Sequence, residues 1–170
     1  MPVTIFGLPV HPLIVHATVV VVPTAALSVL LAAVWPRFRR WARWGPLALS
    51  VIGLGLVPLS TASGENLERQ VGGDALIERH SELADGLLPW MIGLAVVAAV
   101  LLFTHWRSDA EGAGSADPRR SRWLPVLAAM LGIVAAVGTS VQVVLIGHSG
   151  AEAAWSDVAG QAAGGNGNGG

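Results

Sequence analysis

The stretch WLPVLAAMLGIVAAVGTSVQVVLIG (residues 123–147) decides the fold. It holds no Arg, Asp or Glu. Spanning a bilayer core about 30 Å thick as one α-helix takes roughly 17–25 apolar residues, and this run supplies them. In lipid the backbone N–H and C=O groups find no water, so a segment of this kind has to be helical. Three more stretches read the same way: 13–35, 46–62 and 86–106. The second is the shortest. The expected fold is therefore all-α, a four-helix transmembrane bundle running up-down-up-down.

Composition agrees. Of the 170 residues only 12% are charged, against about 25% in a typical soluble domain. There is no cysteine, which excludes disulfides, thiolate metal sites, iron–sulfur clusters and covalently attached c-type haem. A net charge of -1 argues against nucleic-acid binding, which favours a basic patch. There is also no lysine, so all ten basic residues are arginine.

Arginine placement orients the bundle. Arg37, Arg39, Arg40 and Arg43 lie between the first and second spans, and Arg107, Arg119, Arg120 and Arg122 between the third and fourth. These connections share one side, and the positive-inside rule makes it cytoplasmic. The other side holds Arg69 and Arg79 and most of the acids, including Glu65, Glu68, Glu78, Glu152 and Asp157. Both termini are then extracytoplasmic, and the expected location is a bacterial plasma membrane. Trp35, Trp41, Trp44, Trp106 and Trp123 fall at the inner span ends, the interfacial level that suits an apolar ring with a polar N–H. Trp90 and Trp155 mark the outer side.

Finer features follow. The N-terminus lacks a basic leader region, and the first span reads as a retained helix. Leu76, His80, Leu83, Leu87, Trp90 and Leu94 recur at helical steps. This stripe predicts that the third helix starts ahead of its span, with Asp74 as N-cap. Ala128, Gly132, Ala136 and Ser140 form a small-residue face for close helix packing. Pro23 and Pro58 predict kinks. Most Ser and Thr hydroxyls inside the spans are expected to bond to backbone or across helices. Residues 1–155 read as one membrane domain, with SDAEGAGSADP (108–118) a flexible connection and 156–170 a flexible Gly-rich tail.

The histidines carry the functional reading. His11 and His16 open the first span, His80 precedes the third and His148 ends the fourth, all at the outer face. His105 alone lies on the cytoplasmic side. Facing helices of four-helix bundles build metal and cofactor sites, and ionisable residues at a span are functional candidates. The leading expectation is a non-enzymatic membrane redox subunit binding haem b near the outer face. His16 and His80 are the first-choice axial pair, His148 the rival ligand and His11 a supporting residue. Gly64, Ala84, Gly86, Gly147 and Gly150 would supply small residues around the porphyrin, and Arg79 or Arg69 a cation for its propionates. The first alternative is zinc or copper held by His11, His16, His80 and His148, with metal ligands His16, His80 and His148 foremost. The second is a structural or assembly subunit without cofactor. The expected partners are the lipid bilayer and redox membrane proteins. No Ser/His/Asp arrangement, P-loop, dinucleotide fingerprint or H-E-x-x-H occurs, so no catalytic residue is assigned.

HPLIVH at 11–16 resembles the opening H-P-x-x-V-H signature of the membrane family catalogued as domain of unknown function 2231. T-A-S-G-E at 61–65, His80 and G-H-S-G at 147–150 are similar to its later motifs, in the same order. The resemblance covers about residues 9–155. It implies a four-helix membrane domain. Relatives joined to Rieske or other electron-transfer modules imply a redox setting. Members often carry a Tyr just before the last histidine; Leu145 and Ile146 stand there in this chain, so any role of that Tyr is lost.

Overall fold

The computed structural model describes residues 4–5, 8–71, 75–111 and 123–164, with side chains over 11–69, 75–107 and 123–155. A two-residue antiparallel ladder, β1 (Thr4–Ile5) with β2 (Leu8–Pro9), leads into helices. These are α1 (Val10–Val34), α2 (Pro36–Ala42), α3 (Gly45–Val71), α4 (Ala75–Asp85), α5 (Leu87–Glu111) and α6 (Trp123–Gly164). Four helical segments are long and apolar enough to cross a membrane: His11–Val34, Gly45–Arg69, Ala75–Arg107 and Trp123–Trp155. The short α2 lies between the first two crossings, and Arg43 turns the chain into α3 through a left-handed φ of 38°.

The four long helices form a square. α1 packs on α3 and α6, α5 packs on the same two, and α1 and α5 are diagonal partners. Val22, Ala25, Ala26, Val29, Ala32 and Ala33 line the inner stripe of α1. Met91, Leu94, Ala98 and Leu101 line that of α5. Their opposite faces, such as Val19, Val20, Val96 and Phe103, are exposed. A hydrophobic exterior is what a lipid solvent permits, and packing rather than hydrophobic force holds such helices together.

Small residues set the close approaches. A Cβ on Gly132 would stand 3.2 Å from Ala33 Cβ and 3.3 Å from Val97 Cγ1, so α6 meets α1 and α5 together there. Ala128 and Ala136 of the same stripe are buried, whereas Ser140 is exposed and donates to Ala136 O. The Trp90 ring packs directly on Gly138. Hydroxyls inside the spans mostly bond back to their own helix, as Thr18 does to Ile14 O and Ser50 to Pro46 O. Thr139 differs: its hydroxyl is fully buried and has no partner among the described residues.

Helices outrun the apolar stretches. The leucine stripe predicts a third helix that starts ahead of its apolar run; helix does precede that run, but as a separate element, α4, which Gly86 separates from α5. Asp74 lies outside the described residues. α3 continues past residue 62 to Val71, and α6 past 147 to Gly164. Hydropathy marks the hydrocarbon layer, whereas a helix ends only where its backbone loses partners. Residues 156–164, expected in a flexible tail, are thus helical. Most of the connection expected over 108–118 lies outside the described residues, α5 ending at Glu111.

Candidate functional site

Two histidines on different helices sit in matched surroundings. His11, in the first turn of α1, places Nδ1 2.8 Å from Ser63 Oγ on α3. The Ser63 hydroxyl donates its one proton to Ser60 O at 2.9 Å. With that proton on the Ser60 carbonyl, the imidazole is the donor to Ser63, the tautomer that carries its proton on Nδ1 and leaves a lone pair on Nε2. His80 repeats this on the other half of the bundle. Its Nδ1 lies 3.0 Å from Ser149 Oγ on α6, and Ser149 donates to Ile146 O at 3.0 Å.

Glycine completes each cradle. A Cβ on Gly64, next to Ser63, would lie 3.2 Å from His11 Cε1. One on Gly150, next to Ser149, would lie 3.0 Å from His80 Cε1. The serine thus fixes the ring's tautomer, and the glycine lets the ring approach the helix backbone. Both rings are partly buried, and they are near enough to interact electrostatically.

Polar contacts hold α4, the carrier of His80, against the bundle, since none of its residues is fully buried. Ser81 donates to Glu68 Oε2 of α3 at 3.1 Å. Gln142 of α6 donates to Leu83 O at 2.6 Å, and a Cβ on Gly86 would stand 2.8 Å from that amide nitrogen. Arg79 reaches Glu152 of α6 at 3.7 Å.

The remaining expected residues are placed differently. His16 donates Nδ1–H to Pro12 O of its own helix at 2.6 Å and is exposed. His148 is exposed, with Nε2 3.3 Å from Glu152 Oε1. Arg69 pairs with Glu65 at 2.9 Å, so both arginines of this end already face carboxylates. A Cβ on Gly147 would meet nothing within 4 Å. Among the described residues, no three His, Asp or Glu side chains converge on one point. The bundle therefore brings His11, and not His16, into surroundings that match those of His80. Ser63 is among the span hydroxyls expected to bond to backbone or across helices, and it does both; neither it nor Ser149 is singled out by the sequence as part of a site. The available signal was the Ser-Gly step repeated at 63–64 and 149–150, each followed closely by Glu65 or Glu152.

Held in this way, the two rings offer Nε2 lone pairs to an acceptor, most readily a metal centre. A hydrogen-bonded Nδ1–H also orients the ring and raises its basicity as a ligand.

Comparison with known proteins returns one family. The model described as "Predicted membrane protein (DUF2231)" matches residues 7–163. No curated protein and no solved structure matches the chain.

Proposed function

The chain belongs to the DUF2231 family of predicted membrane proteins, and we propose that it is a membrane subunit binding haem b through His11 and His80. The observation that carries this reading is the doubled His–Ser–Gly cradle, which presents two imidazoles with Nε2 available and Nδ1 engaged. A bis-histidine haem needs two such nitrogens, whereas structural zinc takes four protein ligands and catalytic zinc three. Bound haem supplies one-electron transfer; the chain's contribution is to orient the rings and fix their tautomers. Gly64 and Gly150 let each ring lie close to a helix backbone, and Arg79 and Arg69, the arginines of this end, face Glu152 and Glu65. His16 and His148 take no ligand role in this reading.

The test is an absorption spectrum of protein purified after haem-supplemented expression. We expect a Soret band and a pyridine haemochrome of b type. A colourless protein that stays colourless on haem titration removes the proposal.

A second reading has its own support: each His–Ser bond joins two helices, α1 to α3 and α4 to α6. Such bonds are worth about 0.6–2 kcal/mol in membranes, enough to make them staples of a cofactor-free assembly subunit. Under that reading, haem titration leaves the thermal midpoint unchanged. A zinc or copper centre needs ligands beyond His11 and His80, and elemental analysis of the purified protein decides it.

A further inference from the structure

At the opposite end of the bundle, a cleft of about 410 Å³ is lined by Pro36, Arg39, Arg40, Thr104, His105 and Pro125. Three elements meet there: α2, the end of α5 and the first turn of α6. From its lining and position we infer that this cleft binds a phosphate ester, the anionic headgroup of a membrane lipid.

Charge is the first support. Two guanidiniums and an imidazole share the cleft, and among the described residues no carboxylate pairs with Arg39 or Arg40. Arg39 is half-buried, and loss of hydration pushes its pKa below the ordinary arginine value. A partly buried cation without a counter-ion is unfavourable, and a bound anion removes that penalty. Arginine's planar fork also matches phosphate oxygens in bidentate fashion.

Position is the second. Trp35, Trp41, Trp44, Trp106 and Trp123 all belong to this end and are exposed. Tryptophan belts mark the level of lipid headgroups, so the cleft lies where phosphates are. Basic pockets between membrane helices at that level take anionic headgroups. Its volume falls within the roughly 300–1,000 Å³ of small-ligand sites, more than a bare phosphate fills and suited to one with a glycerol attached.

The test titrates detergent-purified protein with short-chain phosphatidylglycerol and with phosphatidylcholine of equal chain length, read by native mass spectrometry. Wild type is expected to favour phosphatidylglycerol by about tenfold, the weight of one charge-assisted contact. Arg39→Gln and Arg40→Gln each lose that preference, while Arg37→Gln and Arg43→Gln, outside the cleft, keep it. Arg40 is exposed, so R40Q carries the test if R39Q does not fold. Equal loss in all four variants, or no preference in wild type, overturns the inference. Glycerol 3-phosphate in the same titration separates the sources. No displacement at matched concentration supports the lipid headgroup. Full displacement of the lipid overturns the lipid assignment and makes the ligand a soluble phosphate ester.

Discussion

The two ends of the bundle solve the problem of polarity at a membrane boundary in opposite ways. At the histidine end, polar groups come in closed local sets: His11 with Ser63, His80 with Ser149, Arg69 with Glu65, and Arg79 with Glu152. At the arginine end, Arg39 and Arg40 share a cleft without an acid among the described residues, at the end of the bundle that also carries five exposed tryptophans. A closed set fixes geometry, which suits ligands that must be held at an angle. An open set of charge waits for a counter-ion from outside. Under the two proposals the same bundle carries a positioning end and a receiving end.

The sharpest way to break this contrast is by histidine replacement. His11→Ala and His80→Ala should each abolish the b-type spectrum, while His16→Ala, His148→Ala and His105→Ala preserve it. Loss of the spectrum in H16A with retention in H11A would reverse the assignment. Next come the cradle glycines. Gly64→Val and Gly150→Val push side-chain atoms onto the imidazoles and should cost about 1–3 kcal/mol by overpacking, read as a lower thermal midpoint in detergent. Gly147→Ala, with open space around it, should be neutral or slightly stabilising because Ala favours helix.

Smaller effects sharpen the comparison. Ser63→Ala and Ser149→Ala should each destabilise by roughly 0.5–2 kcal/mol, and by similar amounts if the cradles are equivalent. At the other end, Trp44 and Trp106 meet edge to face with ring centroids 4.8 Å apart. Trp44→Ala should remove about 0.5–1.5 kcal/mol of ring–ring attraction beyond burial, with no change in the haem spectrum. A spectral change in W44A would show that the two ends communicate.

The number of crossings was legible because each apolar run alone exceeds what a soluble core explains. Helix ends were less so: lipid thickness sets the apolar length, while polar contacts that hydropathy does not register help to hold α4 and the C-terminal turns of α3 and α6. The choice between His11 and His16 could not be read from the chain. Five residues turn a helix by roughly 140° net, so only one of the two can face a given neighbour. α1 is apolar on nearly all sides, and nothing in its pattern says which. The partners that decide it, Ser63 and Gly64, are far along the chain. In the sequence His105 stands apart from the other histidines; only the fold places it beside Arg39 and Arg40.

The uninterrupted run of α6 to Gly164 has a dynamic consequence. Helices fray from their ends, and local opening grows easier toward them. Ser149 and Gly150 stand roughly four turns from the end of α6, whereas Ser63 and Gly64 stand only about two turns from the end of α3 at Val71. Amide hydrogens around His80's cradle should therefore exchange more slowly than those around His11's. Two sites alike in chemistry would then differ in lifetime, the His11 side opening first.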